Sequence, residues 1–95
     1  MVSSIAIHEA SSDVEEARQI DWGVMVDAYL TDAAPVGDRY AACAHRVQSG
    51  AIRDGMTVVT PPVVCLTEVG SFSLVQSRSG QDHYVIVSRH HGPGA

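Results

Sequence analysis

The sequence predicts an α+β domain: one or two short helices on a small, strongly bent antiparallel sheet of about four to six strands. Three observations carry that expectation. Ser12-Asp13-Val14-Glu15 has the form of a helix-capping box, and helical periodicity follows it. From Gly55 onward the apolar residues fall in short runs bounded by Gly, Pro and Ser, the punctuation of strands and turns. The chain has 95 residues and is 45% hydrophobic, enough for one core and too little for two. A single domain over residues 1–88 is therefore expected, with a loose tail over 89–95.

The N-terminal ten residues lack a basic leader and contain His8 and Glu9, so they do not read as a signal peptide. No apolar run approaches the length of a membrane helix. A cytoplasmic protein without a membrane partner is expected. The first helix should run from about Asp13 to Ile20, with Val14, Ala17 and Ile20 as its apolar stripe. Asp13, Glu15 and Glu16 sit in its first turn, where the helix dipole favours acids. Asp21 and Gly23 end it.

Gly23 to Leu30 then alternates, with Val24, Val26, Ala28 and Leu30 on one side and Met25, Asp27 and Tyr29 on the other. That pattern predicts a half-buried strand. Thr31 to Arg39, with Pro35 and Gly37 among polar residues, reads as a loop. Tyr40 to Gln48 supports two readings. Tyr40, Cys43, Ala44 and Val47 fit helical spacing, and alanine richness favours that reading. Alternation would instead place Ala41, Cys43, His45 and Val47 on one face of a strand.

Four further strands are expected. Met56 to Val59 is interrupted by Pro61-Pro62, which cannot donate to a ladder. Val63 to Thr67 follows and ends at Glu68-Val69-Gly70. Phe72 to Ser77 and His83 to Ser88 should pair as a hairpin across Arg78 to Asp82.

The charge is uneven. Up to Asp54 the acids outnumber the arginines, whereas from Gly55 onward Glu68 and Asp82 balance Arg78 and Arg89. The formal net charge of −5 therefore sits in the first half, which disfavours direct nucleic-acid binding and suits a basic protein surface. All basic residues are arginine and there is no lysine, which excludes a Walker-type phosphate loop and Schiff-base chemistry.

Cys43, His45, Cys65 and His83 could supply a zinc set, but their spacing lacks the paired pattern of structural sites, and no metal or other cofactor is expected. A thiol nucleophile would need Cys43 or Cys65 beside a histidine and an acid such as Asp82. Cys65 lies within Val63-Val64-Cys65-Leu66, which reads as core, where a thiolate is costly. Asp27 stands out as an acid inside an apolar strand, a position more often on the solvent face than in a site. Trp22 and Tyr29 are of the types enriched as interface anchors, and Trp22 could equally cap the core after the first helix. No catalytic set emerges, and a non-enzyme is expected.

The second half resembles a family of short uncharacterised proteins of proteobacteria and their phages. The matching stretches are Tyr40-Ala41, Ala44 to Ser49, Gly55 to Val63, Gln76 to Gly80 and Tyr84-Val85-Ile86. The doubled Pro61-Pro62 departs from that family, as does the lack of a tryptophan in the valine-rich strand. The resemblance implies a β-rich second half and a bacterial or phage setting, with no activity to carry over.

The leading expectation is a non-enzymatic inhibitor from a phage or mobile element, similar in size and charge to anti-CRISPR proteins. It would mask a basic nucleic-acid-binding surface of a host defence complex, for which a CRISPR–Cas complex is the candidate. Glu9, Asp13, Glu15, Glu16 and Asp21 would meet that surface, with Trp22 and Tyr29 as anchors. Two alternatives remain: a homodimeric accessory or antitoxin-like domain, and a small metal- or thiol-dependent enzyme.

Overall fold

The computed structural model describes residues 13–47 and 54–90. Residues 13–18 form one short helix, α1. Six strands follow: β1 (Ala28–Val36), β2 (Arg39–His45), β3 (Met56–Val59), β4 (Val63–Val69), β5 (Phe72–Ser77) and β6 (His83–Ile86). They form one mixed sheet in the order β3-β2-β1-β6-β5-β4. Two three-stranded antiparallel meanders, β1-β2-β3 and β4-β5-β6, are thus joined side by side through β1 and β6.

That joint corrects the all-antiparallel expectation, because β1 and β6 run parallel, with Ala28 opposite Tyr84 and Leu30 opposite Ile86. The same register continues past β6 as a bridge between Ala33 and Arg89. The His90 amide also donates to the Ala33 carbonyl, so Arg89 and His90 lie against β1 although their composition reads as tail. A parallel pair needs no local turn, so no local pattern announces it.

β1 also replaces two expected elements. The strand expected over Gly23 to Leu30 begins only at Ala28, and the loop expected over Thr31 to Arg39 is strand as far as Val36. Pro35 is tolerated for a geometric reason. Its register partner Tyr40 turns both its amide and its carbonyl towards Thr60, so β2 asks no hydrogen bond of Pro35. On the other side, pairing to the β6 segment reaches only Ala33. Gly37, at φ +64°, opens the two-residue turn into β2, as a primed hairpin turn requires. One extra residue on β1 between Thr31 and Ala34 forms a bulge, with Asp32 in the left-handed region at φ +55°.

Tyr40 to Gln48 resolves as strand over Arg39–His45, with Ala42 and Ala44 buried on one face. The alternation of β1 does not mean half-burial. Tyr29 packs on one side with Val26, Val85, Phe72 and Leu74, under Val14 and Ala17 of α1. Ala28 and Leu30 pack on the other with Ala42, Ala44, Val63, Val75 and Ile86. β1 is a central strand covered on both faces.

Residues 60–62 alone connect β3 to β4, the two outer strands. Flat, those strands would lie about 24 Å apart, whereas so short a link spans at most about 14 Å. The sheet therefore curls to bring its edges together at one end without closing into a barrel. The link is held from both sides: the Thr60 amide donates to the Tyr40 carbonyl and the Arg78 amide to the Pro62 carbonyl, each at 2.9 Å. Small residues on the concave side, among them Ala28, Ala33, Ala42 and Ala44, leave room for this curvature. Among the described residues, no helix is long and apolar enough to cross a membrane.

Candidate functional site

The residues that follow α1 build the first candidate face. Asp21 accepts the Gly23 amide through Oδ1 at 3.0 Å, a local turn that swings the chain away from the helix. Trp22 folds back, its Nε1 donating to the Ala17 carbonyl at 3.0 Å, so the indole closes the end of α1 and packs partly against the core. Val24 and Met25 are left in solvent, Met25 at 72% exposure. Beside them lies an open recess of about 510 Å³ bounded by Arg18, Asp21, Trp22, Met25, Tyr29 and Arg46.

Arg18 and Arg46 give the recess its charge, and Glu15 orders both. The Arg18 Nη1 lies 2.9 Å from Oε1 of Glu15, and the Arg46 Nη2 lies 2.7 Å from Oε2. The hydrogen bond from Arg18, then that from Arg46, holds the Glu15 carboxyl below the ordinary glutamate range. These contacts also tie α1 to the end of β2. Arg46 itself sits at φ +55°, its amide donating to Oδ1 of Asp54 at 2.9 Å.

The acidic residues expected to meet a partner are thus not equivalent. Glu15 is neutralised by two arginines. Asp13, Glu16 and Asp21 are exposed and make no ion pair with any described residue. Glu9 lies outside the described residues, as does Ser12 of the expected capping box. Tyr29 is buried in the core, so it can offer a partner only the edge that borders the recess.

The cysteine and histidine residues are dispersed. Cys65, expected in the core, is exposed on the outer strand β4, where no described residue past Val63 is buried on either face. Cys43 is half-buried on β2. Thr31 Oγ1 lies 2.9 Å from His45 Nε2, and Gln76 Nε2 lies 3.1 Å from His83 Nε2. His90 Nδ1 lies 2.9 Å from Oδ1 of Asp32 across an exposed pair. Among the described residues, no three His, Cys, Asp or Glu side chains are grouped as metal ligands would be.

A second cavity went unread in the sequence. It lies on the concave side of the sheet, has a volume of about 260 Å³, and is lined by Ala28, Leu30, Ala44 and Val58 together with Asp27, Asp82 and Tyr84. Its only sequence signal was Asp27, an acid inside an apolar strand. Compared with family models, curated proteins and solved structures, the chain matches none of them.

Proposed function

We propose that the chain is a non-enzymatic interaction module that docks on a basic protein surface and masks it from nucleic acid. The observation that carries this reading is the corner formed by α1 and the segment after it. There, exposed Val24 and Met25 stand beside Asp21, with the carboxylates of Asp13 and Glu16 on α1, which make no ion pair with a described residue. An apolar centre with a charged rim is the arrangement of a transient interface. Acids that no described residue pairs with keep their field for a second molecule and speed its approach, while the apolar centre sets the lifetime.

Glu15 differs from these acids in that its carboxylate is already paired with Arg18 and Arg46. Within the bacterial or phage setting implied by the resemblance, the partner is a cytoplasmic nucleic-acid-handling defence complex of the CRISPR–Cas kind. The test uses purified CRISPR–Cas effector complexes, alone and loaded with target DNA, at low and high salt. Association with the unloaded complex, lost at high salt and in the Glu16→Lys/Asp21→Lys variant, is expected. Met25→Asp should shorten the lifetime of that complex. Binding that ignores salt and charge reversal, or that is unaffected by bound DNA, would sink the masking mechanism.

A second reading, a homodimeric accessory domain, is favoured by β4, an outer strand with Val64, Leu66 and Val69 exposed.

A further inference from the structure

On the concave side of the sheet, alanine occupies β-strand positions where a larger side chain would fill the interior. Ala28 and Ala44 are buried there, and the space they leave is continuous with the cleft beside Leu30 and Val58. Two carboxylates from distant parts of the chain join this apolar lining. Asp27 stands just before β1, and Asp82 just before β6.

The Asp27 carboxylate is held by a backbone amide, and the backbone of Asp82 is anchored on both sides. The Asp27 amide donates to the His83 carbonyl, and Asp27 Oδ2 accepts the His83 amide at 2.8 Å, which leaves Oδ1 free of that bond. The Asp82 amide donates to Ser77 Oγ at 3.0 Å, and its carbonyl accepts the Ser77 amide at 2.9 Å. The Asp82 carboxylate itself makes no ion pair with a described residue. Among the described residues, no arginine lines the cleft. Burial first, and then the charges of Asp82 and Asp27, raise the Tyr84 phenol above the ordinary tyrosine range, so both acids lie within electrostatic reach of one ring.

Two carboxylates on a partly apolar wall, one of them fixed by a backbone amide and neither paired with a cation among the described residues, select a cation that brings its own apolar surface. We propose that this cleft binds a primary ammonium group on a short apolar stem, the ammonium between Asp27 and Asp82 and the stem along Ala28, Ala44 and Val58. The ammonium belongs either to a free organic amine or to a lysine side chain of a partner. The site shares Val47 with the recess at the α1 corner but none of its acids, and it does not depend on the masking role.

The experiment is an NMR titration of the full chain with benzylammonium, with benzyl alcohol as the neutral control and a capped lysine amide as the second arm. Saturable shifts at Ala28, Ala44 and Tyr84 are expected with benzylammonium and not with the alcohol. Asp82→Asn, which leaves the backbone bonds of that residue intact, should weaken binding by about tenfold or more. Ala44→Leu should fill the cleft and abolish binding, with circular dichroism confirming the fold. Binding by the lysine amide at comparable strength assigns the site to a protein side chain, and binding by benzylammonium alone assigns it to a small amine. No saturable shift, equal binding of the alcohol, or indifference to Asp82→Asn would overturn the proposal.

Discussion

Tyr29 is buried on the α1 side of β1, and that burial raises its phenol above the ordinary tyrosine range, against the opposing pull of Arg18. Glu15, on the exposed side of α1, is shifted the other way by Arg18 and Arg46. The two shifts bound stability from opposite sides. A tyrosine whose folded pKa is raised contributes stability that is whole below its unfolded pKa and is lost as pH rises through the folded value. A glutamate whose folded pKa is lowered contributes stability that is present above its unfolded pKa and is lost as pH falls through the folded value. Urea midpoints measured across pH should therefore fall on the alkaline side, and Tyr29→Phe should flatten that limb. Glu15→Gln should flatten part of the acid limb, by a small amount that added salt reduces further, because the pair is exposed. An alkaline limb unchanged by Tyr29→Phe would refute the burial account of that residue.

Arg46, the residue after β2, lies in the left-handed region, a conformation that L-residues enter at a cost. Arg46→Ala and Arg46→Gly both delete the bridge to Glu15 and differ only in the backbone they prefer. The glycine variant should be the more stable of the two by about 1 kcal/mol in urea unfolding, and equal midpoints would show that the end of β2 relaxes freely. Element boundaries were legible where local chemistry decides them. The α1 stripe of Val14 and Ala17, the β5 strand and the β3 strand bounded by Thr60-Pro61 all stand where their patterns place them. β1 was not legible, because Pro35 reads as a breaker until Tyr40 is known to face Thr60 instead. β4 was misjudged for a related reason: Val63-Val64-Cys65-Leu66 is apolar enough for a core, yet only Val63 has a covering layer. Of the candidate sites, the acids of α1 could be read directly. The Asp27–Asp82 cleft could not, because it exists only where β1 and β6 lie side by side.

For the molecule as a whole, the curled sheet has two outer strands, β3 and β4, whose far sides no other described strand pairs with, and they are not equally protected. β3 is four residues long and offers little to pair with. β4 is seven residues long, exposes Val64, Leu66 and Val69, and carries Glu68 as its one charge. The chain has no lysine to place on that edge, a common guard against strand addition. The irregularity in register between Cys65 and Thr67 twists the strand and limits pairing to part of its length. A second copy approaching antiparallel would bring the same apolar side chains together about a two-fold axis, the symmetry of most homodimers. Sedimentation equilibrium should therefore show a mass that rises with concentration. Leu66→Arg should return the chain to monomer with its circular dichroism unchanged, since Leu66 is exposed and its replacement leaves the core intact. The α1 corner predicts a different response, since Glu16→Lys/Asp21→Lys should leave this self-association alone while weakening capture by a basic partner. A wild-type chain that stays monomeric at every concentration would remove β4 as an interface and leave the α1 corner as the protein-docking surface.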